Sequence, residues 1–273
     1  MKQQLVLDRS AVSLGETKYH LRYRKEYIDP YDPRIDGSHI HDQYELYVNL
    51  SGDVSFFINN KLYQVKRGDV IFTRAGDVHF CVYNKPTLHE HFCLWITADE
   101  SSAVTDFIER NFKKNFISCG ELFDGILELL FKMNKALPNE DRFTDTLNLL
   151  QLLSALSEKR EEQAIIPQSI LPIELQRIVD DINENFAEMN SLNDILKRHY
   201  ISQATLNRRF RKYMQISPRA FLEDKKLAYA RQLLLCGASV TEACFSAGFS
   251  DCSRFIAIFK RKFGDTPYKY KSK

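Results

Sequence analysis

A pattern that occurs twice in the last eighty or so residues places the strongest limit on how this chain can fold. Each copy, one in residues 191–213 and one in 239–263, contains a short apolar-periodic stretch, a turn and a second such stretch opened by a capping residue. The copies are offset by 48 to 49 positions, so that Leu206 of the first corresponds to Phe255 of the second. Because the apolar residues of each copy recur at helical spacing on one face, each copy predicts a helix-turn-helix unit with a small core of its own.

The segment between the two copies is predicted to be one uninterrupted helix. Ser217 can cap its free N–H groups, Pro218 suits its first turn, and no breaker follows until Gly237. Such a helix is about 28 Å long and would hold the second helices of the two units about one duplex turn, ~34 Å, apart. One chain could then enter two successive major grooves of double-stranded DNA.

The charge of the chain is unevenly divided. Its 38 Lys and Arg residues nearly balance its 36 Asp and Glu residues, but residues 1–171 carry a net charge of −5 and residues 172–273 a net charge of +7. From Ser191 onward the excess reaches +11. This excess favours a polyanionic partner for the C-terminal end, although a basic surface that only aids solubility would give the same count.

The outward faces of the second helices, about 203–213 and 252–263, hold the candidate DNA-binding residues. Arg can make two hydrogen bonds to guanine, and Asn or Gln can make two to adenine, so the first helix suits base reading. The second helix offers few polar groups to bases and is expected to supply shape fit and phosphate contacts, the latter also from Lys262. The candidates are Gln203, Ala204, Asn207, Arg208 and Arg211 in the first helix, and Cys252, Ser253, Arg254, Ala257, Lys260 and Arg261 in the second.

The N-terminal half has a different pattern. Up to about residue 98 it shows short runs rich in Tyr, Phe, Val and Ile between turn signals, which predict an all-β barrel or sandwich, with Asn59-Asn60 able to close a two-residue hairpin. The next stretch is helical, and its apolar faces are wide enough to require several neighbours, either the barrel or a second subunit. The predicted organisation is a β region at about 1–98 and helices at about 101–160 within a first domain at 1–162, a Pro-containing linker at 163–172, and an all-α domain at 173–273.

Several polar and aromatic residues of the β region could form a pocket for a small molecule. His39, His41 and Glu45 alternate along the sequence and would share one face of a strand. Strand aromatics could stack on a sugar or another ring, although such residues also serve as core. His89 and His91 are expected to be partly exposed strand residues rather than ligands. The candidate effector-pocket residues are His39, His41, Glu45, Tyr47, His79 and Trp95.

Residues 39–52 and 68–79 resemble the two signature motifs of the cupin β-barrel. The resemblance implies a barrel whose first motif and second motif converge on a metal, and three imidazoles with one carboxylate would suit Fe, Mn, Ni or Zn. Arg74 stands where this superfamily usually has Pro, and Tyr83 where it has Asn. The alternative is a metal-free pocket in which the same polar groups meet a ligand or the barrel mouth. The four implied ligands are His39, His41, Glu45 and His79.

Residues 172–273 resemble the DNA-binding domain of AraC/XylS-type bacterial transcription regulators. The matching motifs are S-x3-L-x3-F from Ser202, S-P at Ser217, K-L-x2-A-x2-L-L from Lys226, A-x4-G-F-S-D from Ala243, F-x3-F-K from Phe255 and G-x-T-P-x-x-Y from Gly264. The sequence departs from the family at Gln215, where Gly is usual, and at Lys226, where Arg is usual. The resemblance implies a sequence-specific regulator whose N-terminal cupin-like domain senses a small molecule and often dimerises. It also implies base reading at Ala204, Asn207, Arg208, Cys252, Ser253 and Ala257.

Two other functions remain open at this point. One is a metal-dependent cupin enzyme fused to a DNA-binding tail, and the other is a constitutive regulator whose barrel only pairs subunits. The six cysteines have no zinc-finger spacing, and no stretch approaches the roughly 18 apolar residues of a membrane span. We therefore expect a non-enzymatic, cytoplasmic homodimer that binds DNA and a small effector, with a sugar as one candidate. No cofactor is expected, and a divalent metal in the barrel is the one candidate.

Overall fold

The structure is a computed structural model and describes residues 5–12, 17–30, 38–51, 54–83, 85–99, 101–135, 142–157, 168–189 and 191–271. Its N-terminal part is built on two antiparallel sheets, as predicted for an all-β region. The larger sheet has the order β1-β2-β8-β3-β6-β9 and the smaller has the order β5-β4-β7. The strands are β1 (Leu5–Val12), β2 (Lys18–Ile28), β3 (Tyr44–Asn49), β4 (Val54–Ile58), β5 (Lys61–Val65), β6 (Asp69–Thr73), β7 (Phe80–Val82), β8 (Thr87–Thr97) and β9 (Phe116–Ser118).

The two sheets enclose one core, and helices cover the other face of the larger sheet. Alternation along β3 sends Tyr47 into the inner core, where its ring lies 4.9 Å from that of Phe56 on the smaller sheet. The neighbouring Leu46 and Val48 point the other way and belong to the core shared with the helices. We call the two-sheet body the barrel. The helices beside it are α1 (Ala103–Asn111), α2 (Phe123–Lys135) and α3 (Arg142–Ser157).

The predicted hairpin between β4 and β5 is confirmed. Asn59 and Asn60 have φ angles of 49° and 62°, and Ile58 pairs with Lys61 across the turn. Two successive left-handed residues give the backbone twist that matches flanking strands, and Asn tolerates this region better than most residues.

The C-terminal part is all-α, as predicted. Its helices are α4 (Ile173–Asn185), α5 (Asn193–Arg198), α6 (Gln203–Met214), α7 (Pro218–Leu235), α8 (Val240–Ser246), α9 (Cys252–Phe263) and α10 (Pro267–Tyr270). The uninterrupted helix between the repeats is confirmed as α7, in which the Ser217 hydroxyl accepts the Ala220 N–H at 3.1 Å and Pro218 fills the first turn. The two pattern copies are therefore two helix-turn-helix units, α5–α6 and α8–α9.

The caps of the first helices of the two units differ. Ser239 and Glu242 form the predicted reciprocal capping box of α8. The first unit's helix starts later than a Ser191 cap would place it, at Asn193. Ser191 still accepts the Asn193 N–H at 3.2 Å, and Asp194 accepts the Ser191 N–H at 3.4 Å.

The barrel and the first helix-turn-helix unit share an apolar cluster. Phe57 and Phe80 of the smaller sheet belong to the same buried group as Phe210 of α6 and Phe221 of α7. The Phe57 and Phe221 rings meet edge to face with centroids 5.6 Å apart. The outer side of the smaller sheet is thus covered by the DNA-binding region.

The predicted linker at 163–172 lies partly outside the described residues. Its described end is packed on the barrel, because the Ile170 N–H donates to the Leu62 carbonyl at 2.8 Å and Leu171 is buried in the shared cluster. The described end of the linker is therefore held against the smaller sheet of the barrel. Among the described residues, no helix is both long and apolar enough to cross a membrane.

Candidate functional site

The exposed face of α6 carries most of the predicted base-reading residues. The Ser202 hydroxyl caps the helix by accepting the Thr205 N–H at 3.2 Å. Leu206 and Phe210 are fully buried and fix the rotation of the helix about its axis. This rotation leaves the opposite face open to solvent. Gln203, Ala204, Arg208 and Arg211 are exposed there, and Asn207 is half-buried at its edge.

The exposed face of α9 has smaller side chains at its start and basic residues toward its end. Asp251 caps this helix by accepting the N–H groups of Ser253 and Arg254 at 2.8 and 3.1 Å. Cys252, predicted to face DNA, is half-buried and packs against the core of the second unit. The exposed predicted residues are Ser253, Arg254, Ala257, Lys260 and Arg261.

Two arginines of α9 share one acidic partner that the sequence pattern did not single out. Glu223 of α7 lies 3.6 Å from Arg254 and 3.3 Å from Arg261. Both arginine side chains are mostly exposed, so these pairs are weak and leave the guanidinium groups available to an anion. Lys262 differs, because its ammonium lies 2.6 Å from Asp224 in a largely buried position. The phosphate contact predicted for Lys262 is therefore replaced by an internal ion pair.

A cleft of about 610 Å³ lies between the two units. Gln203 at the start of α6 and Arg254 near the start of α9 line it from the two sides, and Arg219 of α7 lines its floor together with Glu223. Basic and polar groups from both units therefore converge on one concave surface. Such a surface suits the phosphate backbone of a duplex that runs between two occupied grooves.

Lys226 ties the two units together. Its ammonium donates to the carbonyl of Met189, after α4, at 2.6 Å and to the carbonyl of Gly248, in the turn of the second unit, at 2.7 Å. Burial lowers the pKa of Lys226. Gly248 has a φ of 78°, and a Cβ at this position would lie 2.2 Å from the carbonyl oxygen of Ala187. Close backbone packing and two bonds from one ammonium thus fix the second unit against the first.

Three of the four residues implied as metal ligands meet in the barrel. The Glu45 carboxylate lies 2.7 Å from Nε2 of His41 and 3.1 Å from Nε2 of His79. One ligand atom from each of these residues falls within 4.8 Å of the others. We call these three residues the His–Glu cluster. The prediction that His39 and His41 share a strand face with Glu45 is wrong, because β3 begins only at Tyr44 and both histidines precede it.

His39 instead lies beside the cluster. It forms an isolated backbone bridge with His79, with the two N–H···O bonds at 2.7 and 3.2 Å. The two ring centroids are 6.0 Å apart. This bridge holds the segment that precedes β3 next to the His–Glu cluster.

The hydrogen bonds of the two imidazoles define which nitrogen faces the carboxylate. Nδ1 of His41 bonds to the Gln43 carbonyl at 3.0 Å, and Nδ1 of His79 bonds to the Asp77 carbonyl at 2.9 Å. A carbonyl can only accept, so each Nδ1 carries a proton and a neutral ring directs the lone pair of Nε2 at Glu45. Two lone pairs and a carboxylate can share this space only with a proton or a cation between them.

The charge states of the cluster follow from burial and these bonds. Burial opposes ionisation of Glu45, but hydrogen bonds from His41 and His79 outweigh it and hold the Glu45 pKa well below its usual value. Burial likewise opposes protonation of His79, and the bond to Glu45 overcomes it and raises the His79 pKa. The cluster thus stabilises positive charge next to Glu45.

A second polar group lies on the same inner face of the barrel. His89 bonds through Nε2 to the Tyr47 hydroxyl at 2.9 Å and through Nδ1 to the Ser51 hydroxyl at 3.0 Å. Nδ1 of His91 is buried and has no hydrogen-bond partner among the described residues. The prediction that His89 and His91 are partly exposed is wrong, since they are 0% and 8% exposed. They are buried because β8 is an interior strand of the larger sheet, paired with both β2 and β3.

The two predicted pocket aromatics have different surroundings. Tyr47 is buried, whereas Trp95 is half-buried, with the His20 ring 5.4 Å away and the Arg22 guanidinium 5.4 Å from its centroid. Residues 89, 91, 93 and 95 of β8 point to the inner face, because every second residue of a strand faces the same side. This alternation was the sequence signal that could have placed His89 and His91 there.

Two family models match the chain. A model described as an AraC-like ligand binding domain matches residues 26–171, and one described as a helix-turn-helix domain matches residues 195–273. The transcriptional activator RhaS of Escherichia fergusonii is 23% identical over 237 residues, which are 84% of this chain and 85% of that protein. The virulence regulon transcriptional activator VirF of Yersinia enterocolitica is 25% identical over 252 residues, with 83% and 88% covered.

Solved structures also match. ToxT of Vibrio cholerae covers 99% of this chain and 98% of its own, with 14% identity and a TM-score of 0.38. The DNA-binding domain of AdpA in complex with a target DNA covers 36% of this chain and 90% of its own, with 27% identity and a TM-score of 0.35.

Proposed function

Because this chain belongs to the AraC family of transcription regulators, we propose that α6 and α9 enter two successive major grooves of one duplex while the barrel binds a small effector. The observation that carries the proposal is the pair of capped helices with open faces, joined by α7 and locked by Lys226. A fixed separation between two recognition helices replaces the two-fold symmetry that single helix-turn-helix proteins use. A protein that acts on bacterial DNA in this way works in the cytoplasm.

We propose different roles for the two recognition helices. Asn207 and Arg208 of α6 present the groups that bond adenine and guanine edges, with Gln203, Ala204 and Arg211 around them. On α9 the exposed Arg254, Lys260 and Arg261 supply phosphate contacts, and the short side chains of Ser253 and Ala257 allow close approach. Cys252 supports the start of α9 from the core.

We propose that the chain forms a homodimer through α3. Leu149, Leu152 and Leu153 of this helix are buried against the barrel side, whereas Leu147 and Leu150 are 44% and 43% exposed. With Phe143, which is also exposed, they follow the i, i+4, i+7 spacing of one helix face. An apolar stripe of this kind fits the same helix of a second copy.

We propose that the effector binds on the inner face of the barrel, where the His–Glu cluster, Tyr47 and Trp95 lie. A divalent transition metal is a second candidate, because Nε2 of His41 and Nε2 of His79 both lie next to the Glu45 carboxylate. His41, Glu45 and His79 would hold the ion, and the bonds from each Nδ1 to a backbone carbonyl are the second-layer contacts typical of metal-binding imidazoles. When bound, such an ion would supply positive charge at this point. We propose a regulator rather than an enzyme, because the matched families are a ligand-binding domain and a helix-turn-helix domain and the similar proteins are transcriptional activators.

Three measurements test these proposals. Selection of genomic fragments by the full chain should return sites with two contacted segments about one duplex turn apart, and Arg208→Ala should lower the enrichment and relax the preference at one base position. Recovery of random fragments would contradict sequence-specific binding. Metal analysis of the purified chain, with His41→Ala as the comparison, separates a bound ion from a metal-free pocket. Thermal shifts with sugars and with organic acids then identify the effector class, since a ligand at 100 times its Kd adds about 2.7 kcal/mol.

A further inference from the structure

One short segment of the barrel, Ser38–Asp42, contacts the second helix-turn-helix unit. Asp42 accepts from Nε of Arg231 on α7 at 2.5 Å, and its other carboxylate oxygen accepts from the hydroxyl of Tyr270 on α10 at 2.6 Å. Arg231 is only 5% exposed. An arginine buried to this degree depends strongly on its carboxylate partner.

The other end of the segment reaches the end of α9. The carbonyl of Ser38 accepts from the Lys262 ammonium at 2.8 Å, and the Ser38 hydroxyl bonds to Asp224 of α7. Lys262 and Asp224 also pair with each other at 2.6 Å. Polar contacts from Ser38 and Asp42, the two ends of the segment, therefore hold α7, α9 and α10.

The same segment contributes to the His–Glu cluster. His41 bonds directly to Glu45, its carbonyl accepts the Gly76 N–H at 2.9 Å, and His39 pairs with His79 through the backbone. A Cβ on Gly76 would lie 3.0 Å from the Arg231 guanidinium, so the turn at Gly76 packs directly on this arginine. The cluster and the interdomain contacts are thus separated by a single peptide bond, between His41 and Asp42.

We infer that Ser38–Asp42 couples the His–Glu cluster to the position of the second helix-turn-helix unit, with Asp42 and Arg231 as positioning residues. This inference rests on the proposed effector site. A ligand that inserts between His41 and Glu45 must break their bond and move His41, and the attached Asp42 moves with it. The two directed bonds of Asp42 tolerate little displacement. The α9 face stays exposed in the present arrangement, so the contact sets the orientation of the second unit and does not cover its DNA-binding surface.

Coupling between two sites is reciprocal, so a change in the DNA-binding region must also alter the His–Glu cluster. The test uses the full chain without DNA or ligand. In Arg231→Gln, amide hydrogen exchange of residues 38–42 should accelerate about tenfold, the equivalent of one lost charge-assisted hydrogen bond, and the ring resonances of His41 and His79 should shift. Arg231→Lys should restore part of both effects. Arg211→Gln, at an exposed arginine of α6, is the matched control and should change neither.

A milder variant and the reverse experiment keep the inference testable if Arg231→Gln does not fold. Tyr270→Phe removes only the hydroxyl that bonds Asp42 and should shift the same His resonances to a smaller extent. Glu45→Gln should in turn accelerate exchange in residues 262–270. His resonances in Arg231→Gln and Tyr270→Phe that match those of the Arg211→Gln control would overturn the inference. Operator binding by the wild-type chain is measured separately, so failure of DNA binding and failure of coupling give different results.

Discussion

The two helix-turn-helix units share one fold but differ in how they meet the barrel and in what they offer to DNA. The first unit meets the smaller sheet through buried aromatic rings, among them Phe57 and Phe221. The second meets the segment before β3 through ionic and hydroxyl contacts such as Asp42 with Arg231. Apolar packing is non-directional and tolerates small shifts, whereas these bonds depend on position and angle. The difference indicates that a rearrangement in the barrel would disturb its contacts with the second unit before it disturbs those with the first.

The same contrast holds for the recognition faces. The α6 face has long polar side chains that carry base-specific hydrogen-bonding groups, as in Asn207 and Arg208. The α9 face has short side chains flanked by Lys260 and Arg261. The first face can therefore discriminate between base sequences, whereas the second can contact any duplex, because phosphates repeat along every strand.

The largest expected effect comes from disrupting the close backbone packing at Gly248 that fixes the second unit against the first. Gly248→Ala would place a methyl group 2.2 Å from the Ala187 carbonyl oxygen at a left-handed backbone position. We expect a loss of about 3 kcal/mol in the free energy of unfolding, measured by urea denaturation, because overpacking and backbone strain add. The control is Gly264→Ala, which has the same φ of 78° but nothing within 4 Å of the added atom, and should cost about 1 kcal/mol. Equal losses in the two variants would show that the backbone contact is unimportant.

The next effect tests the division of roles on DNA. Arg208→Ala should weaken binding to a specific operator by about 2 kcal/mol and relax the preference at one base position, because a bidentate contact is lost. Asn207→Ala should act similarly at a neighbouring base. Ser253→Ala removes the short polar side chain that α9 exposes near its start and should cost much less. Titrations against a set of single-base operator variants measure this, and a larger loss for Ser253→Ala would reverse the proposed roles.

A smaller effect is expected at the phosphate contacts of the second unit. Lys260→Ala should weaken binding to every duplex by a similar factor and lower the slope of log K against log salt by about one, because one fewer counterion is released. Affinities measured at several salt concentrations, for operator and non-operator DNA, check this. A loss confined to the operator would assign base reading to this lysine.

The smallest effect near neutral pH concerns the junction of the first unit with the barrel. The Lys225 ammonium donates to Asn60 at 2.5 Å and to Asn183 at 3.0 Å, and burial lowers its pKa from 10.5 to about 8. Between these values Lys225 is protonated in the unfolded chain and neutral in the folded one, so its contribution to stability rises as pH increases from about 8 to 10.5 and is constant below about 8. The unfolding free energy of the wild type minus that of Lys225→Met should therefore increase across this range, whereas the difference between the wild type and Lys212→Met, an exposed control, should stay constant.

The structure explains how Gln is accommodated at position 215, where the family pattern has Gly. It follows α6 in the left-handed region, with a φ of 59°, where the related regulators usually have Gly. Its side chain bonds both the backbone N–H and the carbonyl of Tyr83 in the barrel. The sequence showed the departure, but the compensating contact joins residues 132 positions apart.

Local sequence determined the secondary structure of the DNA-binding region, because caps, helical spacing and breakers act within one or two turns. Asp251 starts α9 and Ser217 starts α7 where the pattern predicted. Contacts between distant residues were decided only by the tertiary structure. The burial of His89 depends on the neighbours of β8 in the sheet, and the bonds of Lys226 depend on how two units approach each other. Such contacts depend on how whole helices and strands pack against each other. The spacing of residues along one strand or helix gives no information about that packing.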